Sequence, residues 1–80
     1  MTQSVPDRVR NVLSAVLGVP ADSIGEFASP QTLEAWDSLK HMNLVLALEE
    51  EFGVSFSDEQ MLEMLNFKLI VATVQEILGA

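Results

Sequence analysis

The chain has 80 residues, 49% of them hydrophobic, and 12 acidic side chains against 4 basic ones give a formal net charge of −8. This length suits one domain around one core, and the absence of cysteine excludes disulfides and thiolate metal sites. The negative charge argues against nucleic acid and anionic membrane surfaces as partners. No apolar run reaches the roughly 18 residues of a membrane span. Residues 1–4 lack the basic and apolar regions of a signal peptide, so we expect a cytoplasmic location. We also expect a monomer.

The first predicted helix covers about residues 5–17. Ser4 suits its N-cap and Gly18 its end, and apolar residues recur between them at helical spacing. Arg8 and Arg10 lie off the apolar stripe, and we interpret them as the solvated face of this helix.

Residues 18–36 form a long connection, and loops of this length in compact domains are usually either functional or disordered. Large apolar side chains are scattered along it, which predicts that it is pinned onto the helices rather than loose: Ile24, Phe27, Leu33 and Trp36. We interpret Trp36 as a lid on the core, with a contact to a partner protein as the alternative.

The second predicted helix covers about residues 38–52, a stretch without Pro or Gly. Asp37 is a suitable N-cap, Gly53 suits the C′ position, and Ser38 falls at the first helical position with its hydroxyl outward. An anion attached there would be stabilised by roughly 0.3–1 kcal/mol through the free N–H groups and the helix dipole. Taken alone, Asp37-Ser38 is also an ordinary capping signal.

This helix carries two apolar stripes, although a surface helix needs only one. The first, predicted to face the core, contains Leu44, Val45, Leu48 and Phe52. The second begins beside Ser38 and contains Leu39, Met42 and Leu46. It either packs on neighbouring helices or stays open as a docking face, and the spacing alone leaves both alternatives open.

Two further helices complete the chain. Ser57 and Gln60 match a capping box that opens a short helix over about residues 58–65. Asn66 suits the N-cap of a last helix over about residues 67–78, which keeps apolar residues at helical spacing throughout.

The second predicted helix starts at Asp37-Ser38-Leu39, continues with apolar residues and ends in Leu48-Glu49-Glu50-Glu51-Phe52. This sequence resembles the second helix of the acyl carrier proteins. The order of elements extends the resemblance to nearly the whole chain. It implies an all-α four-helix bundle, with three longer helices, one short helix and a long loop between helices 1 and 2. In that family the serine of the D-S-L motif carries a covalent 4′-phosphopantetheine arm, which implies Ser38 as the cofactor-binding residue.

The resemblance implies a carrier that catalyses nothing itself. It would hold acyl or aminoacyl intermediates as thioesters on the arm and present them to enzymes of fatty-acid, polyketide or related specialised biosynthesis. The implied partners are a phosphopantetheinyl transferase, which would move the arm from coenzyme A to the serine, a loading enzyme and downstream biosynthetic enzymes. The residues expected to recognise these partners are Asp37, Leu39, Met42, Leu46, Glu49 and Glu50.

Some residues depart from the family's pattern. Ala35 stands where fatty-acid carriers typically have glycine, and Lys40 and Asn43 stand where they tend to be acidic. The first half of the docking face is therefore less negative, which favours a stand-alone carrier of a specialised pathway.

Two other functions fit parts of the sequence. An unmodified helical adaptor would bind a partner through the second stripe and would not need Ser38. A minimal hydrolase would use Ser38 with His41, but no orienting acid is evident and a small bundle has little room for a substrate pocket. The clustered acids lack the spacing of a calcium loop, so we expect no metal site.

Overall fold

A computed structural model describes residues 4–79 of the chain. Its α-helices are α1 (Val5–Leu17), α2 (Ser38–Phe52), α3 (Asp58–Glu63) and α4 (Phe67–Leu78), and a short 3-10 turn, Ala21–Ser23, lies between α1 and α2. Three helices are long, one is short, and the described residues form no strand, so the predicted all-α fold is confirmed. No helix in this range is long and apolar enough to cross a membrane.

Each helix begins at a polar side chain that accepts a hydrogen bond from a first-turn N–H group. Ser57 Oγ accepts from the backbone of Gln60 at 3.2 Å, and Gln60 Oε1 accepts from the backbone of Ser57 at 2.8 Å, which completes the predicted capping box. The other N-caps are Ser4, Asp37 and Asn66. Gly53 ends α2 at a φ of 64°, a left-handed conformation that glycine adopts without strain.

The third helix is shorter than the sequence predicts. It was expected over about residues 58–65 but ends at Glu63, and Met64 leaves the helical region with φ −83° and ψ 64°. The Met64 side chain is buried in the core, while Leu65 is exposed. Burying a methionine is worth about 1.5–3 kcal/mol, more than the intrinsic preference of these residues for a helix, so core packing decides where the helix ends.

The core lies where α1 packs against α2 and α4, and α3 packs against α4. Leu44, Val45 and Leu48 of the first α2 stripe are buried in it, as predicted, and Phe52 packs at its edge. Side chains of α1 and α4 supply much of the rest: Val9, Leu13, Leu17, Phe67, Ile70 and Val74. One apolar cluster therefore joins the helices and holds α2 in place.

The connection between α1 and α2 is pinned onto the helices, as predicted, with one exception. Ile24 and Trp36 are buried, but Phe27 is 72% exposed, so its predicted packing is wrong. The neighbouring Ala28 is buried instead, and its carbonyl oxygen accepts a hydrogen bond from the N–H of Phe67 at 2.8 Å. Fixing Ala28 against the start of α4 leaves the preceding side chain in solvent.

Arg8 and Arg10 are partly exposed, and they also link α1 to the rest of the molecule, which their interpretation as a solvated face did not include. Arg8 forms an ion pair with Glu51, at 2.9 Å between Nη2 and Oε2, and its guanidinium lies 4.4 Å from the ring centre of Phe52. Arg10 Nε donates to the carbonyl oxygen of Ile24 at 3.1 Å. The two arginines thus attach α1 to α2 and to the long connection.

Candidate functional site

Ser38 is the first residue of α2, and its side chain is exposed. Asp37 is the N-cap, as predicted, and its Oδ1 accepts a hydrogen bond from the backbone N–H of Lys40 at 2.8 Å. This bond fixes the start of the helix, because it satisfies one of the N–H groups that have no partner within the helix. The Ser38 hydroxyl has no hydrogen-bond partner within residues 4–79, so it is available for covalent attachment.

The second stripe of α2 is open. Leu39, Met42 and Leu46 are 68%, 67% and 63% exposed, and they follow Ser38 along one side of the helix. The alternative that both stripes are buried is therefore wrong. Three large apolar side chains in solvent on one helix are unusual for a face with no binding role.

The three consecutive acids of α2 have different surroundings. Glu49 Oε2 accepts a hydrogen bond from the N–H of Phe56 at 2.8 Å, which ties α2 to the segment before α3. Glu51 is paired with Arg8. Glu50 is exposed and forms no ion pair among the described residues. Of the two acids predicted to recognise partners, Glu50 is therefore the one that is available, whereas Glu49 has a structural contact.

A cleft of about 500 Å³ opens beside Ser38. Residues from three parts of the chain line it: Pro30, Gln31, Trp36, Asp37, Ser38, His41, Met64 and Leu65. The sequence did not identify the contributions of Pro30, Gln31 and Leu65, because no local pattern links the long connection, the start of α2 and the end of α3. Only the course of the folded chain brings them together.

Trp36 and His41 form a hydrogen-bonded pair at the edge of this cleft. The indole of Trp36 is 1% exposed, which confirms its interpretation as part of the core, and its Nε1–H donates to Nδ1 of His41 at 3.1 Å. The ring planes differ by 19° and the ring centres are 6.1 Å apart, so the imidazole extends the plane of the indole toward the surface. His41 is half-buried, and its partner was not predicted.

The surroundings of Ser38 do not support a hydrolase. Nδ1 of His41 is engaged by Trp36, and no hydrogen bond joins His41 to Ser38 or to an acid in the described part of the chain. A serine nucleophile needs such a base, oriented by a third group. Residues 4–79 also contain no group of three or more His, Asp or Glu side chains placed to hold a metal ion.

The chain matches the family model described as "Phosphopantetheine attachment site" over residues 7–74. It is 36% identical over 74 residues to a non-reducing polyketide synthase AC of Didymella fabae, an alignment that covers 92% of this chain and 3% of that protein. It is 35% identical over 65 residues to the acyl carrier proteins of two Nitratidesulfovibrio vulgaris strains, DP4 and Hildenborough, with 81% of this chain and 86% of each relative covered.

A helical bundle with an exposed serine at a helix start and an open apolar face beside it is the architecture of a carrier protein. The chain belongs to the phosphopantetheine attachment-site family and is an acyl-carrier-type protein. Its cofactor is accordingly 4′-phosphopantetheine, and its role is to carry groups rather than to catalyse their conversion.

The residues around Ser38 fit this cofactor. A phosphodiester needs an accessible hydroxyl, and Ser38 offers one with no competing hydrogen bond within residues 4–79. An arm also needs room beside its attachment point, which the cleft provides. Its lining combines the apolar Met64 and Leu65 with the polar Gln31, which suits an arm that has both amide and hydrocarbon parts.

Proposed function

We propose that Ser38 carries the 4′-phosphopantetheine arm, and that the protein holds acyl or aminoacyl intermediates on it as thioesters for successive biosynthetic enzymes. The observation that supports this most directly is the exposed hydroxyl of Ser38 at the start of α2, beside a cleft and inside the matched region, residues 7–74.

A phosphopantetheinyl transferase would join the phosphate of the arm to the oxygen of Ser38, breaking the pyrophosphate bond of coenzyme A and releasing adenosine 3′,5′-bisphosphate and the serine proton. When attached, the arm would supply the thiol that holds the intermediates as thioesters. The contribution of this chain is to hold the attachment point still: Asp37 caps the helix, and the buried side of α2 anchors it to the core. A rigid attachment point presents the arm in a reproducible direction to each partner.

The open face of α2 is the proposed docking surface for these partners. Leu39, Met42 and Leu46 would bury their exposed area against the partner, and Glu50 would attract basic residues at its rim. Glu49, next to Glu50 in the sequence, adds negative charge to this part of α2, and its carboxylate also accepts the hydrogen bond from the N–H of Phe56.

We also propose that the carrier serves a specialised pathway rather than general fatty-acid synthesis. Lys40 and Asn43 lie in the first half of α2, where fatty-acid carriers tend to have acids, so a transferase or synthase that reads a continuous acidic face would bind less well. One of the relatives is a non-reducing polyketide synthase, which supports a specialised pathway.

Fragmentation mass spectrometry after modification tests the attachment site. The protein is incubated with coenzyme A, magnesium and a broad-specificity phosphopantetheinyl transferase, digested, and its peptides sequenced. We expect the added group on Ser38 alone, since the exposed Ser55 does not start a helix and the hydroxyl oxygens of the exposed N-caps Ser4 and Ser57 already accept first-turn N–H groups. Modification of any other serine would overturn the assignment.

A further inference from the structure

The hydrogen bond between Trp36 and His41 determines which nitrogen of His41 carries the proton. An indole N–H can only donate, so Nδ1 of His41 accepts with its lone pair. A neutral imidazole then has its proton on Nε2. The two ring nitrogens face in nearly opposite directions, and Nδ1 faces the buried indole. The Nε2–H group therefore points away from the buried indole, and His41 itself lines the cleft beside Ser38.

This outward donor has no acceptor in the described part of the chain. No carbonyl or side chain within residues 4–79 accepts from Nε2, although the ring is half-buried and fixed by its bond to Trp36. The only histidine of the chain is thus oriented by a buried partner, carries an N–H group without an acceptor among residues 4–79, and lines the same cleft as Ser38.

We propose that the Nε2–H of His41 donates a hydrogen bond to the phosphodiester that joins the arm to Ser38. His41 lies three residues after Ser38 on one helix, and such pairs have Cβ atoms about 5–6 Å apart. Phosphodiester oxygens are charged acceptors that form strong hydrogen bonds. The inference rests on the proposed function, because it requires the arm to be attached at Ser38. His41 is then a positioning residue for the arm.

The charges around Ser38 explain why a neutral donor is useful there. Asp37 lines the same cleft and places a carboxylate next to the attachment point, where it repels a phosphodiester. Lys40, in the first turn of α2 with Ser38, is basic and half-buried. A fixed N–H from His41 offsets part of the repulsion by Asp37 and holds the phosphodiester on the cleft side of α2.

Nitrogen and phosphorus NMR test this inference on the modified protein, with the unmodified protein as reference. Because the chain has one histidine, its ring ¹⁵N resonances are unambiguous. We expect the proton on Nε2 in both forms, and we expect the Nε2 resonance to shift when the arm is attached. A proton on Nδ1, or an Nε2 resonance that does not respond to the arm, would overturn the inference.

His41→Asn is the matched variant, because its amide keeps an acceptor near the Nδ1 position for Trp36 but loses the Nε2–H donor. We expect the ³¹P resonance of its arm to move toward the value in urea-unfolded protein, with unchanged Trp36 fluorescence. The same ³¹P shift in parent and variant would contradict the hydrogen bond. A parent that accepts no arm would overturn the proposed function as well, whereas a modified parent with an unresponsive His41 would overturn this inference alone.

Discussion

Trp36 joins the start of α2 to the core through a buried indole ring. Removing a buried aromatic ring loses its transfer free energy and leaves a cavity, so we expect Trp36→Ala to lower the free energy of unfolding by about 3–5 kcal/mol. Urea unfolding followed by far-ultraviolet circular dichroism measures this change. A loss below about 1 kcal/mol, typical of a surface position, would contradict the packing described for this residue.

Glu49 and Glu50 are neighbours in α2 but have different roles. The Glu49 carboxylate accepts from the N–H of Phe56, whereas Glu50 is exposed. A hydrogen bond to a charged group contributes about 1.5–3 kcal/mol, and an exposed side chain usually less than about 0.5 kcal/mol. We therefore expect Glu49→Ala to lower the free energy of unfolding clearly and Glu50→Ala hardly at all. Equal losses in parallel urea unfolding curves would show that the Glu49 contact does not stabilise the fold.

Residue roles were predictable where they depend on near neighbours along the chain. Asp37 as a cap follows from the N–H groups within three residues of it. The bond between Trp36 and His41 was not predictable, because it depends on how deeply the long connection buries the indole. The contact of Glu49 with Phe56 likewise depends on how the chain turns back after Gly53.

At the level of the helices, α2 has one face in the core and one in solvent. Met42 is exposed, so Met42→Glu should leave the free energy of unfolding within about 0.5 kcal/mol of the parent. If this face docks partners, the same change should lower kcat/KM for phosphopantetheine transfer about tenfold or more, since central interface residues often contribute over 1.4 kcal/mol. A steady-state transferase assay with varied carrier concentration measures it.

Leu78→Glu is the matched control for Met42→Glu. Leu78 is partly exposed and is the last residue of α4. The cleft beside Ser38 lies near the other end of α4, because Met64 and Leu65, which line it, come just before the first residue of that helix. The control introduces the same charge far from the site and should leave transfer unchanged. Equal losses from both variants would indicate a general effect of charge and would contradict docking through α2.

The elements themselves were largely predictable, because caps, glycine ends and apolar spacing all agree for α1, α2 and α4. The end of α3 was not predictable, because Met64 leaves the helical conformation and its side chain is buried in the core. Periodicity also could not decide whether the second stripe of α2 was open. That outcome depends on how the other helices pack against α2, which only the folded chain determines.

For the whole molecule, length and composition alone predicted a single acidic domain, and the net charge of −8 leads to a further prediction. Attraction between this charge and a basic docking site speeds association and is screened by salt. We expect kcat/KM for phosphopantetheine transfer to fall as sodium chloride rises from low to physiological concentration, with a weaker dependence for Glu50→Gln. A rate independent of salt would contradict electrostatic steering.

The central claim is that the molecule is a carrier loaded at Ser38. The most direct test is the intact mass of the protein after incubation with coenzyme A, magnesium and a phosphopantetheinyl transferase. The parent and Ser55→Ala should each gain the mass of one phosphopantetheine. Ser38→Ala should gain nothing while keeping the parent's circular dichroism spectrum, because the exposed Ser38 side chain contributes no hydrogen bond to the described fold. A Ser38→Ala protein that is still loaded, or a folded parent that is never loaded, would contradict the account.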